Sequence, residues 1–302
     1  MKKAKVICYF LSCIGLSAAT VDVFFLAGQS NASGRATTGY TYDSRDDQVA
    51  YYYQTDGGGS FNSDGFTTVS PMTSGYYGSE ISIGRELVSA GYNPAIIKVS
   101  KGGQSLAVGS HWNSSSTSSS SMWGIWKSEV TTALTQIVAN GDTPVLRAFF
   151  WNQGETDADN ETYANAYEAN FNQLVVDIFA ELTDYGSDEM QFITALTHST
   201  YGINTPLDYA DTVRDAQQNI MNAQSNYHYF DTNDISDTGQ YNESTNPDGM
   251  MGDHLHFNGA GLDEIGSRFV NTYLASVPEP SATSILITVS VCIIGIPRRR
   301  NN

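Results

Sequence analysis

The stretch Val21-Asp22-Val23-Phe24-Phe25-Leu26-Ala27-Gly28-Gln29-Ser30-Asn31 passes from a nearly uninterrupted apolar segment directly into a turn of Gly, Gln, Ser and Asn. A short apolar run bounded by turn residues is typical of a strand buried in a parallel sheet. Where a helix follows such a strand, its first backbone N–H groups are unpaired and can bind a developing oxyanion. Ser30 therefore lies where a fold can present a nucleophile, although a serine in such a turn also serves as a helix cap.

Further apolar runs alternate with amphipathic segments along most of the chain. We predict strands at residues 23–27, 95–100, 145–151, 191–196 and 227–230, and helices at residues 79–90, 123–139, 162–182, 208–222 and 261–274. This alternation is expected of a parallel sheet that helices cover on both faces. The predicted fold is therefore α/β, a three-layer α/β/α sandwich with a central, mostly parallel five-stranded sheet.

Two segments interrupt this alternation. Residues 40–78 are rich in Gly, Ser and Tyr, and a connection of that length favours a functional loop or a small hairpin layer. The tyrosines at positions 51–53 and 76–77 could stack against sugar rings or could be strand residues with one buried face. Residues 113–121 are nearly all serine, which predicts a flexible loop without chemistry of its own.

Both ends of the chain have the composition of targeting segments. Residues 1–19 begin with three lysines, continue with an apolar stretch and end in Ser-Ala-Ala, which predicts a secretory signal cleaved after Ala19. Lipoprotein processing at Cys13 is the alternative. Residues 277–302 contain Pro278-Glu279-Pro280, an apolar stretch and Arg298-Arg299-Arg300, and they resemble the PEP-CTERM sorting signal, which implies processing by an exosortase. A buried C-terminal helix is the alternative there.

The remaining body, residues 20–276, is strongly acidic. Six of the 15 Lys and Arg residues and one of the 32 Asp and Glu residues lie in the two ends, which leaves nine basic and 31 acidic residues and a net charge of −22. This sign argues against nucleic acid or an anionic membrane surface as a partner. All three cysteines, Cys8, Cys13 and Cys292, also lie in the ends, so the body can form neither a disulfide nor a cysteine metal site.

Two more turns with candidate chemistry follow predicted strands, where an open parallel sheet forms its ligand site. In Lys101-Gly102-Gly103-Gln104-Ser105 the glycines permit close approach of the backbone, and the N–H of Gly103 could point at an oxyanion. In Trp151-Asn152-Gln153-Gly154-Glu155-Thr156-Asp157 the Gln153 amide could donate to an oxyanion, and Glu155 could brace the turn or an imidazole. Each could also be an ordinary turn or helix cap.

The candidate base comes from a comparison of the histidines. Only Asp253-His254-Leu255-His256 places an imidazole three residues after a carboxylate in a turn before a helix; the other candidates are His111, His198 and His228. A carboxylate at that spacing can accept from Nδ1–H, so that Nε2 faces a nucleophile. This selects Asp253 and His256. A zinc site formed by Asp253, His254 and His256 is the alternative.

These blocks, in this order, resemble those of SGNH hydrolases, specifically the sialate O-acetylesterase-like group of carbohydrate esterase family six. The resemblance spans residues 20–276 and implies a flavodoxin-like fold with Ser30 as nucleophile and Asp253 and His256 as acid and base. It implies oxyanion donors at Ser30 and Gly103, with Gln153 as a third candidate and Gln29, Asn31 and Glu155 in support. Gln153-Gly154-Glu155 replaces the Gly-x-Asn of the wider superfamily, which leaves open whether Gln153 donates and whether Glu155 assists His256.

The expected protein is an exported serine esterase that removes O-acetyl groups from carbohydrates without a metal or other cofactor. Its partners would be an acetylated polysaccharide or sialic acid and the exosortase-type sorting machinery. Membrane contact would be limited to the C-terminal tail before processing, and the final location would be the cell surface, outer envelope or extracellular matrix of a Gram-negative bacterium. Two alternatives stay open: a catalytically silent carbohydrate-binding surface protein, and an esterase acting on a non-carbohydrate ester.

Overall fold

A computed structural model of the chain describes residues 18–55, 61–199, 207–235 and 255–277. Within them, one sheet has the strand order β3-β2-β5-β1-β6-β7-β8, with β4 paired to β2. All neighbours from β2 to β8 in this order are parallel. The strands are β1 (Thr20–Gly28), β2 (Ala50–Thr55), β3 (Phe61–Asn62), β4 (Thr67–Thr68), β5 (Pro94–Ser100), β6 (Thr143–Asn152), β7 (Gln191–Ala195) and β8 (Tyr227–Phe230).

Helices cover both faces of this sheet. They are α1 (Ser30–Ser33), α2 (Glu80–Ser89), α3 (Met122–Ala139), α4 (Glu155–Ala158), α5 (Glu161–Glu181), α6 (Ala210–Met221) and α7 (Gly259–Ser276), with short 3₁₀ helices at Asp46–Gln48, Thr183–Tyr185 and Ser187–Glu189. The side chains of β1 alternate between two cores: Val23, Phe25 and Ala27 pack with α3, α5 and α6, and Phe24 and Leu26 pack with α2 and α7. The predicted α/β/α sandwich and its five long helices are confirmed.

The prediction of five strands was wrong, because it lacked the β2 region. All five predicted strands are present, but β2 extends the sheet in parallel beyond β5, and β3 and β4 pair antiparallel to β2. Tyr51 and Tyr53 of β2 are buried in the core that contains α2, whereas Tyr52 is buried in the opposite core. A strand that buries tyrosine on both faces lacks the alternation that identifies a half-buried strand. These three tyrosines are core residues rather than a surface for stacking sugars.

The order of the central strands brings three predicted turns together. The central strand β1 lies between β5 and β6, and in the parallel register Gly28 is level with Ser100 of β5 and with Asn152 of β6. The segments that follow these strands therefore leave the sheet side by side at one edge. This edge contains Ser30, the glycine pair at 102–103 and the turn at 153–157.

A buried ion pair lies directly beneath this edge. Lys98 of β5 and Glu80 of α2 are both completely buried, and their Nζ and Oε2 atoms are 2.7 Å apart. The Lys98 ammonium also donates to the backbone carbonyl of Ser33 at 2.6 Å, and the second Glu80 oxygen accepts from Gly78 N–H at 2.8 Å. The pair thus connects β5, the end of α1 and the beginning of α2.

None of the helices within these described ranges is both long enough and apolar enough to span a bilayer. The predicted signal falls almost entirely, and the predicted sorting tail nearly completely, on residues 1–17 and 278–302, which lie outside the described residues.

We expect Lys98→Met to lower the free energy of unfolding by about 3–5 kcal/mol, because the Glu80 carboxylate would then be buried without a counter-charge. The double variant Lys98→Met/Glu80→Gln removes both charges and should recover most of the loss. Urea unfolding measures both effects. Lys127→Met on α3, where Lys127 lies over the Trp123 ring, is the matched control. A Lys98→Met loss no larger than that of the control would contradict the interpretation.

Candidate active site

The turn after β1 is held so tightly that only glycine fits at position 28. Gly28 has φ 142°, and a Cβ atom there would lie 2.0 Å from the backbone oxygen of Asn152. The same oxygen accepts from Gln29 N–H at 3.1 Å, and the Gly28 carbonyl accepts from the Trp112 indole at 3.0 Å. Ser30 is then the first residue of α1, which has no side-chain cap. Ser30 therefore does not cap this helix, which was the alternative prediction for it.

A cavity of about 590 Å³ opens at this edge of the sheet. It brings together Ser30, Gly103 and His256 with two of the predicted supporting residues, Gln29 and Glu155. The Ser30 side chain is nearly buried, at 4 % exposure. The other lining residues are Arg35, Lys101, Gly102, Thr156, Asp159, Leu207 and Leu255. Asn31 and Gln153 do not line the cavity, and Asp253 and His254 lie outside the described residues.

Asn31 connects the turn that carries Ser30 to the segment that carries His256. Its Oδ1 accepts from Phe257 N–H at 3.2 Å, and its Nδ2 donates to the Leu255 carbonyl at 3.2 Å. These are the backbone groups on either side of His256. Nδ2 also donates to Glu155 Oε1 at 2.6 Å, with both side chains buried. Asn31 therefore holds the segment that carries His256 against the turn that carries Ser30.

Glu155 is a buried carboxyl group that is only partly satisfied. Burial raises its pKa, while the hydrogen bond from Asn31 and the charge of His256 act in the opposite direction. Its second oxygen, Oε2, has no hydrogen-bond partner in the part of the chain that the structure describes. Because this oxygen is also buried, Glu155 is a poorly satisfied carboxyl group on the cavity wall, close enough to His256 to feel its charge.

Gln153 lies behind the site. Its Nε2 donates to the Gln104 carbonyl at 3.0 Å and to Asp157 Oδ2 at 2.6 Å, and its Oε1 accepts from the Tyr167 hydroxyl at 3.0 Å. Its backbone carbonyl accepts from Gln217 Nε2 at 2.9 Å. Both amide hydrogens are therefore used within the protein, in positions that connect β6 to the segment after Gly103.

Asp157 is the carboxylate on which this connection depends. Besides Gln153 it accepts from Leu106 N–H at 3.1 Å, and it is completely buried. Burial, with a smaller contribution from the charge of Glu155, raises the pKa of Asp157 to about 7. The sequence shows Asp157 in the turn but not its role, because the contact with Leu106 joins residues 51 positions apart.

Three other histidines have structural partners and do not line the cavity. His111 Nδ1 accepts from Ser105 N–H at 3.1 Å, His228 Nε2 lies 3.0 Å from Gln191 Oε1, and the buried His198 ring packs against Phe257. Among the histidines in the described residues, His256 is the one that shares a cavity with Ser30.

Two basic residues of the cavity, Arg35 and Lys101, were not predicted from the sequence. Arg35 follows α1, and Lys101 follows β5. Both are close to residues that were selected, but the sequence does not show which way a loop side chain turns. The one feature of the sequence that could have indicated them is their closeness to Ser30 and to Gly102.

The sequence profile of the family described as "Carbohydrate esterase, sialic acid-specific acetylesterase" matches residues 20–275. The chain belongs to this family. It is therefore a carbohydrate O-acetylesterase, as its sequence blocks predicted. No curated protein sequence matches the chain.

Several solved structures share the fold of this chain at low sequence identity. The chain is similar to NanS (19% identity, TM-score 0.61, covering 86% of this chain and 98% of NanS). It is also similar to a protein of Arabidopsis thaliana, with 16% identity, a TM-score of 0.60 and coverage of 84% of this chain and 98% of that protein. A carbohydrate acetylesterase of Xanthomonas citri matches with 16% identity, a TM-score of 0.54 and coverage of 84% of this chain and 55% of the acetylesterase. At these identities the likeness concerns the fold, and the profile match carries the family assignment.

The raised pKa of Asp157 predicts a pH-dependent stability. A carboxyl group whose pKa is higher in the folded protein stabilises the fold below its unfolded value of 3.8, and this contribution is lost as the pH rises to about 7. By this linkage, Asp157→Asn should reduce the fall in the free energy of unfolding between pH 4 and pH 7.5 by up to about 4 kcal/mol.

Urea unfolding at several pH values measures the slope. Asp159→Asn is the matched control, because Asp159 is an exposed carboxylate two residues away. If the free energy of unfolding had the same slope against pH in the wild type and in Asp157→Asn, the pKa of Asp157 would be near its ordinary value and the prediction would be contradicted.

Proposed function

We propose that the acetylesterase acts through Ser30 as nucleophile, His256 as general base and Asp253 as the carboxylate that orients the imidazole. The observation that carries this proposal is the presence of Ser30, His256 and Gly103 on one cavity. Asn31, which holds both backbone neighbours of His256, supports it further. Asp253 enters from its position three residues before His256 in the sequence.

In the first half-reaction His256 takes the proton of Ser30 Oγ as that oxygen attacks the acetyl carbonyl carbon. The tetrahedral intermediate collapses when the bond from this carbon to the sugar oxygen breaks, and His256 returns the proton to the departing hydroxyl. Water then attacks the acetyl-Ser30 ester with His256 again acting as base. Acetate leaves, and Ser30 regains its proton.

Backbone N–H groups of Ser30 and Gly103 would bind the oxyanion. Ser30 is the first residue of α1, whose early N–H groups have no helical acceptor. Gly103 has φ 69°, its side-chain position is open with no atom within 4 Å, and no described residue accepts a hydrogen bond from its N–H. Such donors stabilise negative charge as it develops, because they are aligned before the reaction.

The two basic side chains of the cavity support an acidic sugar as substrate. Arg35 and Lys101 line it, although the body of the protein has a net charge of −22. The Lys101 ammonium could bind the carboxylate of a sialic or uronic acid. The family description, which specifies sialic acid, agrees with this choice.

Export of the enzyme is also part of the proposal. Residues 1–19 have the three parts of a secretory signal, and residues 277–302 resemble a PEP-CTERM tail. These features support delivery to the cell surface or extracellular matrix of a Gram-negative bacterium, with an exosortase as processing partner.

Ser30→Ala should lower acetate release from acetylated sialic acid by roughly 10⁴- to 10⁶-fold, because it removes the nucleophile. The melting temperature should change little. Ser33→Ala on the same helix is the matched control, since the Ser33 hydroxyl bonds Ser100 at 3.0 Å and does not line the cavity. Retention of turnover in Ser30→Ala would contradict the proposed mechanism, and an inactive wild-type protein would favour a silent carbohydrate-binding role.

Lys101→Ala should raise KM about tenfold for an acetylated acidic sugar and leave KM for acetylated xylo-oligosaccharides unchanged, because one charge pair in such a site is worth about 1.4 kcal/mol. The rise should shrink with added salt. Acetate release from both substrate types measures it, with Lys127→Ala as control. An equal effect on acidic and neutral substrates would contradict a carboxylate-binding role.

A further inference from the structure

We propose that Gln29 donates the side-chain N–H that binds the oxyanion, and that Gln153 instead positions the loop that carries Gly103. The proposal rests on the proposed function and goes beyond it, because it reverses the roles of the two glutamines. The wider superfamily pattern has an amide residue in the turn after β6, which made Gln153 the expected donor. The contacts of the two amides point to different roles.

Gln153 cannot donate to a substrate without breaking bonds inside the protein. Both hydrogens of its Nε2 are used, by the Gln104 carbonyl and by the Asp157 carboxylate. Its Oε1 is used by Tyr167, and the residue is 1 % exposed. Rotation of the amide toward the cavity would leave the completely buried Asp157 carboxyl group without one of its hydrogen bonds, and an unsatisfied buried polar group is costly.

Gln29 has the opposite arrangement. It lines the cavity beside Ser30, and its Oε1 accepts from Thr156 N–H at 3.3 Å. A backbone N–H donates to the oxygen of a side-chain amide and not to its NH₂ group. The contact with Thr156 therefore shows which end of the Gln29 amide is Oε1 and which is Nε2. Its Nε2 has no hydrogen-bond partner among the described residues. A side chain that is 2 % exposed thus has an amide NH₂ that is oriented but unused, on the wall of the cavity.

The position of Gln29 in the sheet fits an oxyanion donor. Thr156, which holds its amide, belongs to the segment after β6, whereas Gly103 belongs to the segment after β5. Strand β1 lies between these two strands. The segment that holds the Gln29 amide and the segment that carries Gly103 therefore leave the sheet on opposite sides of β1, which is followed by Ser30. Three donors in this arrangement would enclose an oxyanion formed on the carbon that Ser30 attacks.

Gln153 then acts on Gly103 through the protein. It bonds the carbonyl of Gln104, the residue after Gly103, and it holds Asp157, which accepts from Leu106 N–H. Two anchors within three residues limit the movement of the segment that carries the Gly103 N–H. Gln153 is therefore a positioning residue.

Gln29→Glu is the central test. Glutamate keeps the side-chain length and the acceptor for Thr156 N–H, and it replaces the NH₂ donor with an oxygen. We expect kcat for acetate release to fall about 10²- to 10³-fold with little change in KM. The melting temperature should fall somewhat, because a carboxyl group replaces a neutral amide at a buried position. Methylboronic acid, whose Ser30 adduct carries an oxyanion-like oxygen, should bind more weakly by a similar factor.

Gln153→Met is the comparison variant. We expect it to lower kcat together with the melting temperature and to increase amide hydrogen exchange in residues 102–107, whereas Gln29→Glu leaves that exchange unchanged. A Gln29→Glu enzyme within threefold of the wild-type kcat would overturn the proposal. So would a 10²-fold loss in Gln153→Met with unchanged exchange in the loop.

The wild type and Ser30→Ala are measured in the same assay. Absence of Ser30-dependent turnover in the wild type would overturn the proposed function together with this inference. Normal Ser30-dependent turnover combined with an unimpaired Gln29→Glu variant would overturn the inference alone.

Discussion

The close contact between Gly28 and the Asn152 carbonyl is the constraint on which the site depends. With the strands parallel and in register, this contact places the end of β1 level with the ends of β5 and β6. Any residue with a Cβ at position 28 would push β1 and β6 apart at the edge where Ser30 begins α1. The Ser30 turn, the glycine turn at 102–103 and the turn at 153–157 can share hydrogen bonds because this packing places the three strand ends side by side.

Much of this architecture follows from features that a sequence displays directly. The five predicted strands and five long helices have strong periodicity, and Ser30, Gly103 and His256 stand next to element ends, where a parallel sheet collects its ligand site. Strand β2 was missed because its tyrosines are buried on both faces, so they produce no alternation. The direction of the Gln153 amide was not readable either, because it is decided by Asp157, Tyr167 and Gln104 through contacts that form only in the folded protein.

The two carboxyl groups of the turn after β6 illustrate how one short segment serves two purposes. Asp157 faces inward, where Gln153 and Leu106 satisfy it and connect it to the glycine loop. Glu155 faces the cavity, bonded to Asn31 through one oxygen, with no partner for the other in the described part of the chain. Because burial raises the pKa of both, each is costly to ionise, and the cost is offset where donors are present. The better-satisfied Asp157 shapes the loop, and the less-satisfied Glu155 lies on the wall of the cavity.

Buried polar and charged groups also hold the turns around the site in fixed positions, which an oxyanion-binding role for backbone N–H groups would require. An N–H group stabilises developing charge only if it need not reorient during the reaction, and water would provide less stabilisation because its dipoles must reorganise. Lys98 and Glu80 hold the end of α1 from below, Asn31 holds the histidine segment, and Asp157 holds the glycine loop. Each of these polar groups carries a desolvation cost that an apolar residue would avoid. These groups are concentrated beneath one edge of the sheet, where their hydrogen bonds fix the positions of the three turns. The desolvation cost is what this fixed arrangement requires. Stability gained elsewhere, in the two apolar cores, keeps three turns rigid enough to act as one site.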